Sequence, residues 1–227
     1  MTDRVAKIRI DFLVAETFER LFGTTAFMEA VDKAIPDVER QERRALKALA
    51  EAENWDFGDF DVERQILDEK FGHWIPTLAA YSLIILLNSA VETELNAFAE
   101  RVGDMRGSNF RVHDINGRGI ERAALYLKRV ATLPIMEDPA WTHLHNLQKL
   151  RNVIVHSGGR WTGPAKERDR LLAAYPGDLR FPDGNGTRRE MWISMHLCRA
   201  FAQQTEEFFK RMFKMAGLPE NGVQIVP

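Results

Sequence analysis

The stretch HWIPTLAAYSLIILLNSAVETELNAFAERV, residues 73–102, decides the fold of this chain. Its apolar residues recur every three or four positions, the spacing of one face of an α-helix, and Gly103 is expected to end that helix. The residues expected on the buried side are Leu78, Leu83, Leu86, Leu87, Val91, Leu95 and Phe98. The most apolar part, residues 78–91, contains Asn88 and falls short of the roughly 20 apolar residues of a membrane helix. We therefore predict a buried core helix and no membrane partner.

Two further helical regions precede this core helix. Apolar residues in 5–22 are spaced as on one helix face, and Gly23 is expected to close that element. Residues 26–55 form a second helical region that Pro36 should split or kink. Asp56 then begins an acidic surface loop and serves as a helix N-cap. This part of the chain predicts an N-terminal helical extension, residues 1–72, in front of a main domain at 73–227.

A helix with clear end signals follows the core helix. After a helix over residues 117–133, Asp138 and Pro139 provide an N-cap and a proline at the first helical position. The pair Gly158 and Gly159 is typical of a left-handed helix stop. The sequence thus predicts a helix over residues 139–157.

The last part of the main domain changes pattern once. A turn cluster at residues 182–186 lies between apolar residues and predicts a two-stranded hairpin within 179–194. Residues 195–216 are amphipathic and predict a long closing helix. The expected fold class is all-α, a helical bundle with a small β-hairpin before the last helix.

The composition restricts the classes of function. A formal net charge of -2 and a pI near 6.3 provide no basic field over the whole molecule, so any nucleic acid must be bound by a local patch. The single Cys198 cannot form an internal disulfide, which suits a reducing compartment, and we expect a cytoplasmic protein. Carboxylates and histidines do not occur at metal-ligand spacings, so we expect neither a metal nor another cofactor.

Polar residues form one stripe on the otherwise apolar helix 139–157. His145, Lys149, Asn152 and His156 follow each other at spacings of four, three and four. His156 falls in the last turn, where the helix dipole favours a positive charge. Arg151 lies five residues before His156, and its long side chain can swing toward the same cleft. Histidine can exchange protons near neutral pH, and arginine can hold a phosphate.

A structural explanation of the same residues is also open. In it, His156 caps a free carbonyl at the end of the helix, and Arg151 forms an ion pair with Glu92 or Glu94 of the core helix.

The spacing of an arginine and a histidine is by itself a weak signal. Arg106 with His113 and Arg189 with His196 fit it loosely as well, but the first pair spans a loop and the second begins in the expected hairpin. Only Arg151 and His156 lie together at a helix end. Their full context is LRNVIVHSGG, residues 150–159.

This segment resembles the signature of the HEPN family, helical domains named for higher eukaryotes and prokaryotes nucleotide binding. The family motif is an arginine, a polar residue, three further residues and a histidine, usually on the penultimate major helix. The resemblance extends loosely over residues 75–216, including Asn88, Glu92 and Glu94 of the core helix, and is strong only at 150–159. The N-terminal 70 residues resemble no family known to us.

The resemblance implies a composite site in which the arginine and histidine of two subunits of a homodimer meet. His156 would then act as general base or acid at a ribose 2′-hydroxyl, Arg151 would hold the scissile phosphate, and Asn152 would orient the phosphate or the imidazole. From their place on the polar stripe, and not from the resemblance, His145 and Lys149 are expected to contact RNA phosphates. Glu92 is expected to be a structural partner of Arg151. The reaction needs no metal and yields a 2′,3′-cyclic phosphate.

Two classes of function remain open from the sequence. The first is a metal-independent endoribonuclease, a toxin of a toxin–antitoxin pair or an antiphage effector, whose further partner would be an antitoxin or another defence protein. The second is a catalytically silent helical dimer that binds a nucleotide or a protein partner.

Overall fold

The structure, a computed structural model, describes residues 7–181, 190–220 and 223–226. The helices are α1 Phe12–Ala52, α2 Phe57–Glu69, α3 Ile75–Met105, α4 Gly119–Arg129, α5 Trp141–Ser157, α6 Ala165–Ala174 and α7 Met195–Met215. The strands are β1 Lys7–Ile10, β2 Leu179–Arg180, β3 Trp192–Ile193 and β4 Val223–Val226, and the pairs β1 with β4 and β2 with β3 are antiparallel. The predicted all-α bundle with a hairpin before the last helix is confirmed.

The N-terminal region differs from the prediction in two ways. Residues 7–10 form a strand, and a single helix then runs from Phe12 to Ala52 without a break at Gly23 or Pro36. The helix continues through Gly23 because its buried positions, at spacings of three and four, lie on both sides of that glycine. These positions are Val14, Thr17, Leu21, Thr24 and Met28.

Pro36 was expected to split or kink the helix, and the structure contradicts the split because α1 runs through it. Proline removes one backbone donor and costs a helix roughly 3 kcal/mol. Pro36 is exposed, so water can satisfy the carbonyl that its missing N–H leaves free. The helix-forming residues that follow Pro36 then continue α1 to Ala52.

Helix α3 is the core helix predicted at residues 73–102. A single π-helical turn, Lys70–Trp74, joins α2 to it without interruption. Leu83, Leu87, Val91, Leu95 and Phe98 are buried as predicted, whereas Leu78 and Leu86 are 60% and 41% exposed. This part of α3 carries apolar residues all round, so their spacing does not distinguish the buried face from the exposed one. The continuous helical run Phe57–Met105 is also long and apolar enough, by length and composition alone, to cross a membrane. Half of its most apolar segment is buried inside the protein.

Gly103 does not end α3, which continues to Met105. The glycine instead makes room for Tyr126 of α4, since a Cβ at position 103 would lie 2.1 Å from the tyrosine hydroxyl. That hydroxyl donates a hydrogen bond of 2.7 Å to the carbonyl of Phe110. Gly103 therefore allows α3 and α4 to pack closely and does not mark the end of a helix.

The chain divides into two compact units, each built from separated segments. The first contains residues 1–24, 85–152 and 200–227, and the second contains residues 25–84 and 153–199. Helices α1, α3, α5 and α7 contribute residues to both. The predicted boundary between residues 72 and 73 coincides with neither division.

The first unit has an aromatic core, and two carboxylates with almost fully buried side chains stabilise its helix packing. Phe213 of α7 packs edge-on against Phe18 and Phe98, with ring centroids 5.8 and 5.4 Å away. Glu94, almost fully buried on α3, accepts a hydrogen bond from the hydroxyl of Thr17 (2.8 Å) and forms an ion pair with Arg20 (2.9 Å), both on α1. A buried charge is tolerated when its oxygens are satisfied in this way.

Asp138, the second of these carboxylates, fastens the start of α5 to α7. It accepts two hydrogen bonds from the guanidinium of Arg211, at 2.7 and 2.8 Å, and another from the backbone N–H of Ala140 at 2.8 Å. Burial alone would raise the pKa of Asp138, but the hydrogen bonds from Arg211 and Ala140 outweigh it and lower the pKa.

The second unit contains the hairpin and the ion-paired helices α1 and α2. Leu179 pairs with Ile193 and Arg180 with Trp192, while the turn cluster predicted at residues 182–186 lies outside the described residues. Helix α6 was not predicted. Asp56 caps α2 as expected, its carboxylate accepting from the backbone N–H of Asp59 at 2.9 Å. The acidic surface loop predicted to begin at Asp56 is wrong, because α2 begins at Phe57.

We expect Asp138→Ala to lower the free energy of unfolding at neutral pH by about 2–4 kcal/mol, because it removes a helix cap and leaves a partly buried arginine without its main partner. The matched control is Glu207→Ala, which removes the weaker contact of the same Arg211, at 3.9 Å, and should cost less than about 0.5 kcal/mol. Urea denaturation followed by circular dichroism measures both. Equal losses for the two variants would contradict the proposed role of Asp138.

The pKa of Asp138 also predicts a pH dependence. Because it is lower in the folded protein than the ordinary value, the stability from Asp138 is complete above about pH 5 and is lost as the pH falls below about 4. We expect Asp138→Asn to flatten the loss of stability between about pH 5 and pH 3. An unchanged pH profile of the urea midpoint would show that other carboxylates cause the acid sensitivity.

Candidate functional site

Helix α5 carries the candidate residues, and its buried face explains why it forms where it does. Leu144, Leu147, Leu150 and Ile154 are buried at spacings of three, three and four. Asp138 caps the start through its side-chain bond to Ala140, and its carbonyl accepts from the N–H of Trp141 at 2.9 Å. The helix begins at Trp141, two residues after the predicted start.

The polar stripe predicted on this helix lies outside its buried face. Asn152 and His156 are exposed, and Arg151, His145 and Lys149 are partly exposed. Asn152 and His156 are four residues apart and therefore neighbours on the surface of one helix. The guanidinium of Arg151 donates a hydrogen bond of 3.1 Å to the side-chain oxygen of Asn152. An imidazole, an amide and a guanidinium are thus displayed along the last two turns of α5.

The end of α5 is held by a close contact with α3 and the hairpin. Gly158 and Gly159 have φ values of 58° and 83°, the left-handed stop that the sequence predicted. A Cβ on Gly159 would lie 2.0 Å from the hydroxyl of Tyr81. The same hydroxyl donates to the carbonyl of Met191 at 2.6 Å, and the N–H of Met191 donates to the carbonyl of Gly159 at 2.8 Å. This contact determines where the chain leaves the helix just after His156.

Glu92, the expected structural partner of Arg151, is placed elsewhere. Its carboxyl carbon would be 3.9 Å from a Cβ at Gly119, whose position also lies against the amide of Gln148. Within the described residues no ion pair joins Glu92 to Arg151, and Glu94 is bound by Arg20. Glu92 therefore lies beside the start of α4 and near Gln148 of α5. Gln148 comes about one helical turn before Arg151, and the sequence does not reveal which turn of α5 lies closest to Glu92.

His145, expected to contact RNA, has an acidic neighbour. Its Nε2 lies 3.3 Å from a carboxylate oxygen of Glu121 on α4. That carboxylate offsets the attraction of a protonated His145 for phosphate.

The other two histidines that follow an arginine have different surroundings. His113 is exposed in a loop beside Asp114, and Arg106 donates to the hydroxyl of Thr132. His196 lies 3.0 Å from Asp178, while Arg189 lies outside the described residues. Neither histidine is in the last turn of a long helix, as His156 is.

A cluster of serine, aspartate and histidine that was not predicted from the sequence lies beside the hairpin. Asp178 accepts from the hydroxyl of Ser194 at 2.5 Å and contacts His196 at 3.0 Å, and these hydrogen bonds lower its pKa. The carboxylate stands between the other two groups, so His196 does not take the proton of Ser194 as in a catalytic triad. Ser194 also accepts from the N–H of Leu197 at 2.9 Å and is the N-cap of α7. A serine before an amphipathic run was the available signal.

Other reactive groups add no second centre in the part of the chain that the structure describes. Burial raises the pKa of Cys198 to about 12, so its thiol stays protonated and unreactive at neutral pH. The described residues contain no group of three or more His, Cys, Asp and Glu side chains that could hold a metal ion.

The chain matches no family model, no curated protein and no solved structure in comparisons with known proteins. The similarity to the HEPN family therefore stays a prediction from the residues of α5.

The anchored end of α5 predicts different effects for its two neighbouring glycines. Gly158→Ala meets open space and should cost only the strain of a left-handed alanine, about 1 kcal/mol. Gly159→Ala has the same strain and also forces Tyr81 away from Met191, so we expect a loss of about 3 kcal/mol or more. Thermal unfolding of the two variants makes the comparison. Equal losses would mean that Tyr81 moves aside freely and does not hold the helix end.

Proposed function

We propose that this chain is a metal-independent endoribonuclease of the HEPN type that acts as a homodimer. The proposal is supported most by the end of α5, where the exposed Asn152 and His156 are neighbours and Arg151 is hydrogen-bonded to Asn152. These are the residue types and the order of the motif in residues 150–159. None of these three side chains belongs to the buried face of α5, so none of them packs in the core.

The chemistry assigned to these groups is a transfer of the phosphate within RNA. The ribose 2′-oxygen attacks the adjacent phosphorus as its proton passes to a base, and the bond from phosphorus to the 5′-oxygen breaks as that oxygen gains a proton. The products are a 2′,3′-cyclic phosphate and a 5′-hydroxyl. His156 is the proton-transfer group, Arg151 neutralises the charge that develops on the phosphate, and Asn152 orients one of the two.

A second copy of the chain supplies the missing proton-transfer group. The reaction needs one base and one acid, and α5 presents a single histidine in its last two turns. His145 lies eleven residues earlier, about 16 Å along the axis, too far to reach the same phosphate. A two-fold dimer brings two copies of His156 to one site. In this arrangement Lys149 and His145 contact neighbouring phosphates of the RNA.

We expect His156→Ala and Arg151→Ala each to abolish the cleavage of RNA in the presence of EDTA. His156 is exposed, so its removal should lower the unfolding free energy by no more than about 1 kcal/mol. The assay incubates purified protein with total RNA, follows fragment length and identifies the new ends. The matched control is His113→Ala, which removes a different exposed histidine, one that lies beside Asp114. This variant should cleave RNA like the parent.

Several results would overturn the proposal. One is a parent protein that melts sharply but leaves every RNA intact. Another is cleavage by His156→Ala at the rate of the parent. The alternative, a catalytically silent dimer that binds a nucleotide or protein, would then be favoured, with His156 as a helix cap.

Growth of the expressing cells tests the biological role that we propose, a toxin or antiphage effector restrained by an antitoxin or another defence protein. Expression of the parent should slow growth, and expression of His156→Ala at the same level should not. Equal growth of both strains, together with RNA cleavage by the purified parent, would contradict the toxin role but not the ribonuclease activity.

A further inference from the structure

The second half of α1 and the whole of α2 form a helical hairpin without a core. From residue 29 to residue 70 the structure buries no side chain. Apolar residues are nevertheless present, and Leu49, Val62 and Ile66 are 45%, 56% and 54% exposed. Helices in proteins owe most of their stability to the burial of an apolar face. Two helices whose apolar side chains are at most partly buried are therefore incomplete as a packed structure.

Ion pairs fix how the two helices of this hairpin are aligned. Glu42 of α1 accepts from Lys70 at 2.6 Å, and Asp68 of α2 binds Arg43 at 2.8 Å. Since the helices run in opposite directions, the same alignment places Leu49 level with Val62 and Leu46 level with Ile66. The apolar residues thus occur in two adjacent layers near the tip. Val62 and Ile66 also line one open groove along α2, together with Trp74.

The charges of the hairpin are separated along its length. The acidic tip, residues 51–63, has six acidic residues and no basic one: Glu51, Glu53, Asp56, Asp59, Asp61 and Glu63. The basic segment, residues 40–47, has Arg40, Arg43, Arg44 and Lys47 against one acid, Glu42. Asp56 and Asp59 suit the start of α2, but Glu51 lies at the end of α1, where the helix dipole disfavours a negative charge. The acidic tip is thus not explained by helix capping alone.

We propose that the α1–α2 hairpin, residues 29–70, pairs in antiparallel fashion with the hairpin of a second copy to form a four-helix bundle. A two-fold axis near the level of residues 47–48 places the acidic tip of each copy against the basic segment of the other. The same axis brings Val62 of one copy level with Ile66 of the other, and Leu49 level with Leu46. Charge and apolar residues therefore select one register, which is the reason to choose a second copy as the occupant.

This surface is separate from the residues assigned to RNA cleavage and does not depend on that proposal. None of the hairpin positions lies on α5. The proposed ribonuclease also pairs two copies, at His156 of α5. All variants of the test are changed only in the hairpin, so any association through α5 is the same in each of them and only association through the hairpin differs.

The test reverses the charges of one region at a time in the full chain. The first variant carries Arg44→Glu and Lys47→Glu in the basic segment, and the second carries Glu51→Lys and Glu63→Lys in the acidic tip. All four side chains are exposed, so circular dichroism should show the parent's helix content. Light scattering and sedimentation then give the mass and the dissociation constant. A third variant, Ile66→Glu, tests the apolar contact.

We expect self-association of the parent and at least a tenfold weaker association of each variant alone. An equimolar mixture of the two charge-reversed variants should associate like the parent, because both contacts again join opposite charges. Restoration on mixing cannot come from a change within one chain. A parent that is monomeric at about 100 μM, variants that associate as tightly as the parent, or a mixture without restoration would each overturn the proposal. In the first case a different protein covers the hairpin, and in the second the copies meet elsewhere.

Discussion

Helix α3 must be covered on most of its surface, and the rest of the structure depends on that constraint. Between Ala80 and Val102 its buried residues occur on more than one side, so several other helices are needed to remove them from water. The carboxylate of Glu94 lies within this apolar surface and is tolerated because Thr17 and Arg20 of α1 satisfy its oxygens. That requirement makes the packing specific, since α1 must present those two residues at the level of Glu94.

The polar end of α5 follows from the same packing. One side of the helix is buried through four aliphatic residues, and Asn152 and His156 are left on another side. Tyr81 of α3 and Met191 of the hairpin determine where the helix stops, because a side chain on Gly159 would not fit beside the tyrosine hydroxyl. The groups assigned to chemistry are thus placed by a rigid helix whose end is anchored, an arrangement that favours precise orientation of reacting groups.

The hairpin of α1 and α2 is stabilised in a different way. Its contacts are ion pairs between exposed or half-exposed side chains, including Arg43 with Glu39 and Asp68 and Arg64 with Asp61. Such pairs contribute only a few tenths of a kcal/mol each, up to about 1 kcal/mol. Of the ion pairs, only Arg43 with Asp68 and Lys70 with Glu42 join the two helices and fix their alignment. None of the pairs replaces a buried core. Helix α3, in contrast, is stabilised mainly by apolar burial. Because the hairpin lacks such burial, the proposal for its association rests on the arrangement of its charges together with its exposed apolar residues.

The sequence by itself determined the class of fold, most helices, the hairpin, and the end of α5 at Gly158 and Gly159, because helical spacing, caps and turn residues are local properties of the chain. It also located the polar stripe on α5. Only the tertiary structure decided that α1 continues through Gly23, since Leu21 and Thr24 on its two sides are both buried in the folded protein. The same holds for Glu92, whose level relative to Arg151 depends on how α3, α4 and α5 pack. Spacing along one helix defines a face, but which neighbour covers that face is decided by contacts distant in sequence.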